Sequence, residues 1–228
     1  MNNQEITKRV CAIIAAGGSS RRMGEVDKLF ALLVDKPVLA HVLDTFEGCK
    51  SIDRIVVVVS RENLKKTETL VTGISWPKVS DVIIGGTRRQ DSVANGLAKL
   101  SDCDWVVIHD GARPMVTPQL IQDGLEAAKE SGAAIAAIPV KDTIKLADQN
   151  GFVLGTPPRA NLWQVQTPQV FRYDILTKAY RNLTEDVTDD AVLVERAGIR
   201  VKLYPGDENN LKITTPLDLA VAEALLKR

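Results

Sequence analysis

Three stretches of this sequence collect residue types suited to holding and activating phosphates. The first runs Ala15-Ala16-Gly17-Gly18-Ser19-Ser20-Arg21-Arg22-Met23-Gly24, with Lys28 close behind in Asp27-Lys28-Leu29. Small residues and glycines let the backbone approach a ligand and aim several N–H groups at it. The following arginines and lysine add fixed positive charge, and a triphosphate needs both kinds of donor. No Gly-Lys-Ser/Thr closes the stretch, so it is not a Walker A loop, nor does it read G-x-G-x-x-G. The plainer reading is a flexible Gly-Ser turn flanked by solvated cations.

The second stretch is Gly85-Gly86-Thr87-Arg88-Arg89-Gln90-Asp91-Ser92, which follows an apolar run and opens a helix. A glycine pair there lets the backbone close on a flat base edge. For Arg88 and Arg89 the plainer reading is an exposed first helical turn. The third stretch is His109-Asp110-Gly111-Ala112-Arg113-Pro114-Met115. A carboxylate at a strand end, such as Asp110, can bind a ribose hydroxyl, a Mg²⁺-bound water or the hydroxyls of an acceptor. It can equally be a turn or cap aspartate. The chain has two histidines. His41 lies in a helical pattern, where packing or surface exposure is expected. His109 can orient Asp110, and a structural role is expected first. No obvious general base stands out.

These stretches need a scaffold, and the hydrophobic pattern supplies one. Continuous apolar runs at Val10–Ile14, Ile55–Val59, Val79–Ile84, Trp105–Ile108, Ala133–Val140 and Ile199–Tyr204 suit strands of a parallel sheet buried on both faces. Helical signals lie between them. Val38, Leu39, Val42, Leu43 and Phe46 recur at helical spacing after Pro37. Thr117-Pro118 reads as an N-cap with Pro at N1, and Thr215-Pro216 repeats it with Asp218 in capping-box position. The alternation predicts one α/β domain over 1–228. It is a three-layer α/β/α sandwich with a mostly parallel, twisted, Rossmann-like sheet and right-handed crossovers. In such sheets ligands bind outside the carboxyl ends of the strands, where all three stretches fall. Residues 141–167 break the rhythm with turn residues and short β-prone pieces. They read as a β-hairpin arm leaving the domain. An arm that cannot bury its own faces packs on a partner chain, which predicts a homodimer. A long surface loop is the alternative.

Composition narrows the field. Lys plus Arg equals Asp plus Glu at 29 each, which argues against a generic nucleic-acid or membrane binder. The 45% hydrophobic fraction is ordinary for a globular chain. Cys11, Cys49 and Cys103 form neither a disulfide framework nor a zinc pattern, so free thiols in a reducing cytoplasm are expected. The N-terminal residues show no secretory h-region, and no apolar run reaches the ~18 residues of a membrane span.

In order along the chain, the residues resemble one family. Ala15-Ala16-Gly17, Arg22-Met23-Gly24 and Lys28 look like the phosphate-loop signature of sugar-phosphate nucleotidyltransferases. Gly85-Gly86, Arg89-Gln90, Ser92-Val93, His109-Asp110, Ala112-Arg113-Pro114, Asp142-Thr143-Ile144-Lys145, Leu162-Trp163, Gln166-Thr167-Pro168-Gln169, Thr188-Asp189, Asn210 and Lys212-Ile213-Thr214 continue the match. The ordered set resembles the 2-C-methyl-D-erythritol 4-phosphate cytidylyltransferases over essentially the whole chain. The resemblance implies attack of a sugar-alcohol phosphate on the α-phosphorus of CTP, with loss of pyrophosphate, in non-mevalonate isoprenoid synthesis. It implies that Arg22 and Lys28 stabilise the charge of the transition state. The loop is one residue longer than the shorter family pattern, and Met23 sets the register that selects Arg22 over Arg21. Ala15, Ala16, Gly17, Gly18, Gly86, Thr87, Ser92 and Asp110 would then hold the nucleotide. Asp110, Arg113, Thr143, Arg159, Thr167, Thr188 and Lys212 would place the acceptor. Arg159, on the arm, would reach a neighbouring subunit's site. Capping a helix is the plainer role for Thr188. Mg²⁺ is expected, carried mainly by the CTP phosphates, with no protein ligand assigned. Two rival readings are a ribitol 5-phosphate cytidylyltransferase and a non-catalytic nucleotide-binding regulator on the same fold. The first commonly carries His-Asp-x-Val-Arg-Pro-Phe where this chain has His109–Met115.

Overall fold

A computed structural model describes residues 8–18, 27–181, 186–187 and 189–227. In chain order the elements are β1 (Val10–Ala16), β2 (Leu32–Leu33), β3 (Lys36–Pro37), α1 (Val38–Gly48), β4 (Arg54–Val59), α2 (Leu64–Ile74), β5 (Val79–Ile84), α3 (Arg89–Leu97) and β6 (Trp105–Asp110). They continue with α4 (Pro118–Ala128), β7 (Ala133–Pro139), β8 (Leu146–Ala147), β9 (Val153–Gly155), β10 (Trp163–Arg172), α5 (Tyr173–Arg181), α6 (Asp190–Arg196), β11 (Lys202–Pro205) and α7 (Pro216–Leu226).

The central sheet has the order β11-β7-β10-β6-β1-β4-β5. Every neighbouring pair is parallel except the two that β10 makes with β6 and β7. Successive side chains of a strand point to opposite faces, and the core follows that period. Val10, Ala12, Ile14 and Ala16 of β1 pack with Leu39, Leu43 and Phe46 of α1 and with Leu120 and Ile121 of α4. Cys11 and Ile13 face the other way, toward Val93 and Leu97 of α3, Leu176 of α5 and Val194 of α6. The sheet is thus covered on both sides, which explains its unbroken apolar runs and gives the expected three-layer sandwich. Helix α3 lies very close to it, because a Cβ on Gly96 would sit 2.9 Å from a methyl of Ile13.

Both Thr-Pro helix starts form as the sequence predicts. The Thr117 hydroxyl accepts from the Leu120 N–H at 3.1 Å, and Thr215 and Asp218 make a reciprocal capping box. Pro37 differs, since it is the residue before α1 rather than its first turn.

The expected arm is shorter than 141–167. Its hairpin pairs only β8 with β9, and Trp163–Thr167 instead begin β10 inside the central sheet. The reason lies in composition. The run Trp163-Gln-Val-Gln-Thr-Pro-Gln-Val170 lacks the continuous apolar character of the other strands. Yet Gln166, Thr167 and Gln169 are buried, as polar residues of an internal hydrogen-bonded network. The pairing slips between Val165 and Gln169, where the Thr167–Pro168 peptide is cis.

Candidate active site

From β1 the chain passes to β4 and β5 on one side, then crosses over β1 to reach β6 on the other. The sheet therefore changes direction between β1 and β6, and the crevice at their carboxyl ends is where an open α/β sheet takes a ligand. A cleft of ≈ 370 Å³ lies there. That is within the roughly 300–1,000 Å³ of small-molecule sites. It is lined by Ala15, Ala16, Gly17 and Gly18 after β1, by Gly86, Thr87, Arg88, Arg89 and Ser92 after β5, and by Lys28, Asp110 and Lys212.

Each lining group has an identifiable support. Ser92, in the first turns of α3, ties two loops together. Its Oγ accepts from the Gly86 N–H at 3.2 Å, and a Cβ on Gly17 would approach it to 3.2 Å. Gly86 is required to be glycine, since a Cβ would fall 2.2 Å from that of Asp91. The Asp91 carboxylate also takes the Thr87 hydroxyl at 3.2 Å and the Arg88 N–H at 3.1 Å. The Thr87 hydroxyl proton is thus engaged within its own loop. Lys28 follows Asp27, whose carboxylate accepts from the Leu29 N–H and from Asn63 Nδ2 and so fixes the turn. The Lys28 ammonium lies beside Gly18, 3.8 Å from where a Cβ would stand.

Asp110 is the electrostatic centre. Lys212 Nζ bonds its Oδ2 at 2.8 Å, Arg113 Nε lies 3.5 Å from the same oxygen, and Arg89 Nε is 3.8 Å from Oδ1. Burial on its own would raise this carboxyl, but Lys212, Arg89 and Arg113 outweigh it and hold it well below the usual carboxylate range. Arg113 is fixed by donating Nη1–H to the Asn210 carbonyl at 2.7 Å. Lys212 is placed by the next residue, whose N–H donates to the Ala112 carbonyl at 2.8 Å.

Beneath Asp110 lies a polar floor. The Asp110 N–H donates to Thr167 Oγ1 at 3.0 Å, and Thr167 Oγ1 lies 3.0 Å from His109 Nδ1. His109 Nε2 is 3.1 Å from the Arg113 carbonyl, which only accepts. Nε2 must carry the proton, so Nδ1 accepts from the Thr167 hydroxyl. Burial pushes His109 down to about 4, and it stays neutral at physiological pH. It is held as a strut within this network.

The structure brings most predicted residues together. Ala15, Ala16, Gly17, Gly18, Lys28, Gly86, Thr87, Ser92, Asp110 and Lys212 line one cleft, with Arg113 and Thr167 directly behind Asp110. Thr143 and Arg159 do not join them within one chain. Both are exposed on the segment that bears the hairpin, and Arg159 donates to the Lys141 carbonyl at 2.6 Å. Arg22 and Thr188 lie outside the described residues.

Arg89 joins the cleft although the sequence reading gives it no site role. Arg88 is the exposed N-cap residue of α3, paired with Asp91 and Asp186. Arg89 lines the cleft too, but it is less exposed and donates to the fully buried Asp190 at 2.6 Å. Tyr180 donates to the second Asp190 oxygen, and burial followed by that carboxylate pushes the phenol up, so it remains a donor. A one-position difference between adjacent arginines at a helix start carries no periodic signal.

A family model described as 2-C-methyl-D-erythritol 4-phosphate cytidylyltransferase matches residues 10–228. A protein of that name from Dehalococcoides mccartyi is 53% identical over 223 residues, covering 98% of each chain. Another, from Alkaliphilus oremlandii, is 46% identical over 231 residues, covering 98% of this chain and 97% of its own. Among solved structures, the 4-diphosphocytidyl-2C-methyl-D-erythritol synthase of Anaerococcus prevotii superposes with a TM-score of 0.86 at 31% identity. It covers 97% of this chain and 100% of its own. The 2-C-methyl-D-erythritol 4-phosphate cytidylyltransferase of Thermus thermophilus gives 0.75 at 32% identity, covering 95% and 98%.

Proposed function

The chain belongs to the 2-C-methyl-D-erythritol 4-phosphate cytidylyltransferase family, and from that premise we propose how its cleft does the family's chemistry. The enzyme transfers a cytidylyl group from CTP to 2-C-methyl-D-erythritol 4-phosphate, a step of non-mevalonate isoprenoid precursor synthesis. The products are 4-diphosphocytidyl-2-C-methyl-D-erythritol and pyrophosphate. An oxygen of the acceptor phosphate bonds to the α-phosphorus of CTP as the bond to the β-phosphate oxygen breaks. A phosphate monoester has its second pKa near ~6, so the nucleophile is already mostly dianionic and needs no base. What remains is to bring two anions into line and stabilise the charge that builds up.

The observation that carries this reading is the cleft itself, where two glycine-bearing loops and Lys28 meet Asp110 with its cations Arg89 and Lys212. Ala15–Gly18 and Lys28 cradle the triphosphate, with Arg22 supplying a second charge stabiliser. Gly86, Thr87 and Ser92 read the cytosine. Asp110, Arg113, Thr167 and Lys212 hold the ribose and acceptor side, together with Thr188. Thr143 and Arg159 complete the acceptor site of a neighbouring subunit. Their exposure next to an apolar hairpin supports that placement, with Phe152 73%, Val153 60% and Leu154 70% exposed. The enzyme is accordingly a homodimer.

Mg²⁺ would enter with the nucleotide. Among the described residues no group of three His, Cys, Asp or Glu could cage a metal. One carboxylate, Asp110, lines the cleft, where it can reach the water shell of a phosphate-bound ion. That donor set fits a metal held chiefly by substrate, and the ion would neutralise phosphate charge. No helix among the described residues is long and apolar enough to cross a membrane, and we place the enzyme in the cytoplasm. Pyrophosphate release across nucleotide and acceptor pairs tests the reading. Preference for ribitol 5-phosphate would replace the acceptor, and binding without turnover would favour a regulator.

A further inference from the structure

The two oxygens of Asp110 are treated differently. Lys212 is hydrogen-bonded to Oδ2 at 2.8 Å, while Oδ1 faces the Arg89 guanidinium across 3.8 Å. An arginine beside a buried carboxylate would ordinarily close into a charge-assisted hydrogen bond of about 2.7–2.9 Å. Arg89 does not, because its Nη1 is held at 2.6 Å by a second carboxylate, Asp190. Asp190 is fully buried at the start of α6, and its other oxygen takes the Tyr180 hydroxyl from α5. A buried carboxylate with both oxygens bonded is a rigid anchor, because neither partner can leave without stranding the charge. The chain ahead of α6 is tied to the start of α3 twice more. Gln90 Oε1 accepts from the Val187 N–H at 2.9 Å, and Arg88 pairs with Asp186 at 2.6 Å.

We propose that Asp190 and Tyr180 are positioning residues that hold Arg89 back from Asp110, keeping Asp110 Oδ1 open to a hydroxyl of the acceptor while Lys212 bonds Oδ2. This rests on the assignment of Asp110 and Lys212 to the acceptor side, with Asp110 Oδ1 meeting the acceptor and not the ribose. Neither Asp190 nor Tyr180 is among the residues lining the cleft. Both act through Arg89. Without the Asp190 charge, Arg89 has one buried carboxylate left to satisfy it and closes on Oδ1. The acceptor then loses a hydrogen bond, while the loops that hold the nucleotide are untouched.

The test is steady-state kinetics of the full-length enzyme with CTP and 2-C-methyl-D-erythritol 4-phosphate. Asp190→Asn keeps the shape and one acceptor oxygen but removes the charge. It is expected to raise the acceptor KM about tenfold, the scale of one lost charge-assisted hydrogen bond, with the CTP KM near its original value. Tyr180→Phe should move the acceptor KM in the same direction by less, and it carries the test if Asp190→Asn does not fold. In an Arg89→Gln background, Asp190→Asn should add nothing, since its route of action is gone. An unchanged acceptor KM in both single variants would overturn the proposal. So would an equal rise with and without Arg89, or a parallel rise for CTP. Unsubstituted enzyme that turns over no substrate pair would instead defeat the function on which it rests.

Discussion

Asp110 shows how a single side chain is made useful by its neighbours. Its carboxylate is surrounded by Lys212, Arg113 and Arg89, yet only Lys212 is within hydrogen-bonding distance, because the two arginines are tethered to Asn210 and Asp190. Its backbone is fixed by Thr167, and Thr167 by the neutral His109. The protonation of His109 has a measurable consequence. Its folded pKa of about 4 lies below the ordinary ~6.5, so between these values the unfolded chain binds a proton that the fold refuses. Stability from this site is complete above about pH 6.5 and is lost as pH falls toward 4, by up to about 3 kcal/mol. The depressed Asp110 carboxyl contributes above its unfolded pKa, near ~4, and loses its share only at lower pH. Urea unfolding should therefore show stability falling between pH 7 and pH 4.5, with a shallower fall in His109→Gln. Identical slopes would contradict a buried neutral histidine. Lys28→Ala and Arg22→Ala should each lower turnover by about 10²–10³-fold, as when a preorganised charge stabiliser is lost. Near-normal activity in both would remove them from the mechanism.

At the scale of elements, the loops after β1, β5 and β6 carry the site and Ser92 couples the first two. Gly86→Ala would drive a Cβ to 2.2 Å from Asp91, so the loop must move. The CTP KM should rise by about tenfold or more with the far-ultraviolet spectrum unchanged, on the scale of one displaced hydrogen-bond donor. An unaltered CTP KM would mean that this loop does not meet the nucleotide. Much of this level was legible in the sequence. Val79–Ile84 is a strand at its expected limits, and the Thr-Pro devices at 117 and 215 start helices. Apolar periodicity and caps are local, and parallel strands buried on both faces write them plainly. Strand β10 is not legible this way. Gln166, Thr167 and Gln169 are polar in sequence because they bond inward to Asp207, His109 and Asp189, and such partners are distant along the chain. For the same reason Arg89 could not be told from Arg88, since the carboxylate that anchors it, Asp190, lies a hundred and one positions away.

At the scale of the whole molecule, the sandwich leaves the apolar side chains of one hairpin exposed. The β8–β9 hairpin exposes Leu146, Phe152, Val153 and Leu154, and Arg159 stands on the segment that follows. If the arm embraces a second copy, Leu154→Asp should shift the solution mass from dimer to monomer by light scattering. Mixed dimers of Arg159→Ala and Lys28→Ala subunits should then recover activity, because one of the two sites has both intact residues. No recovery in verified mixed dimers would place Arg159 in its own subunit's site. The fold and the family agree on the chemistry, and one assay tests that agreement most directly. Pyrophosphate release with Mg²⁺ should be measured for CTP, UTP, ATP and GTP, each with 2-C-methyl-D-erythritol 4-phosphate and with ribitol 5-phosphate. Selective turnover of CTP with 2-C-methyl-D-erythritol 4-phosphate is expected. Turnover of no pair, or a clear preference for another nucleotide or for ribitol 5-phosphate, would contradict cytidylyl transfer to methylerythritol phosphate in this cleft.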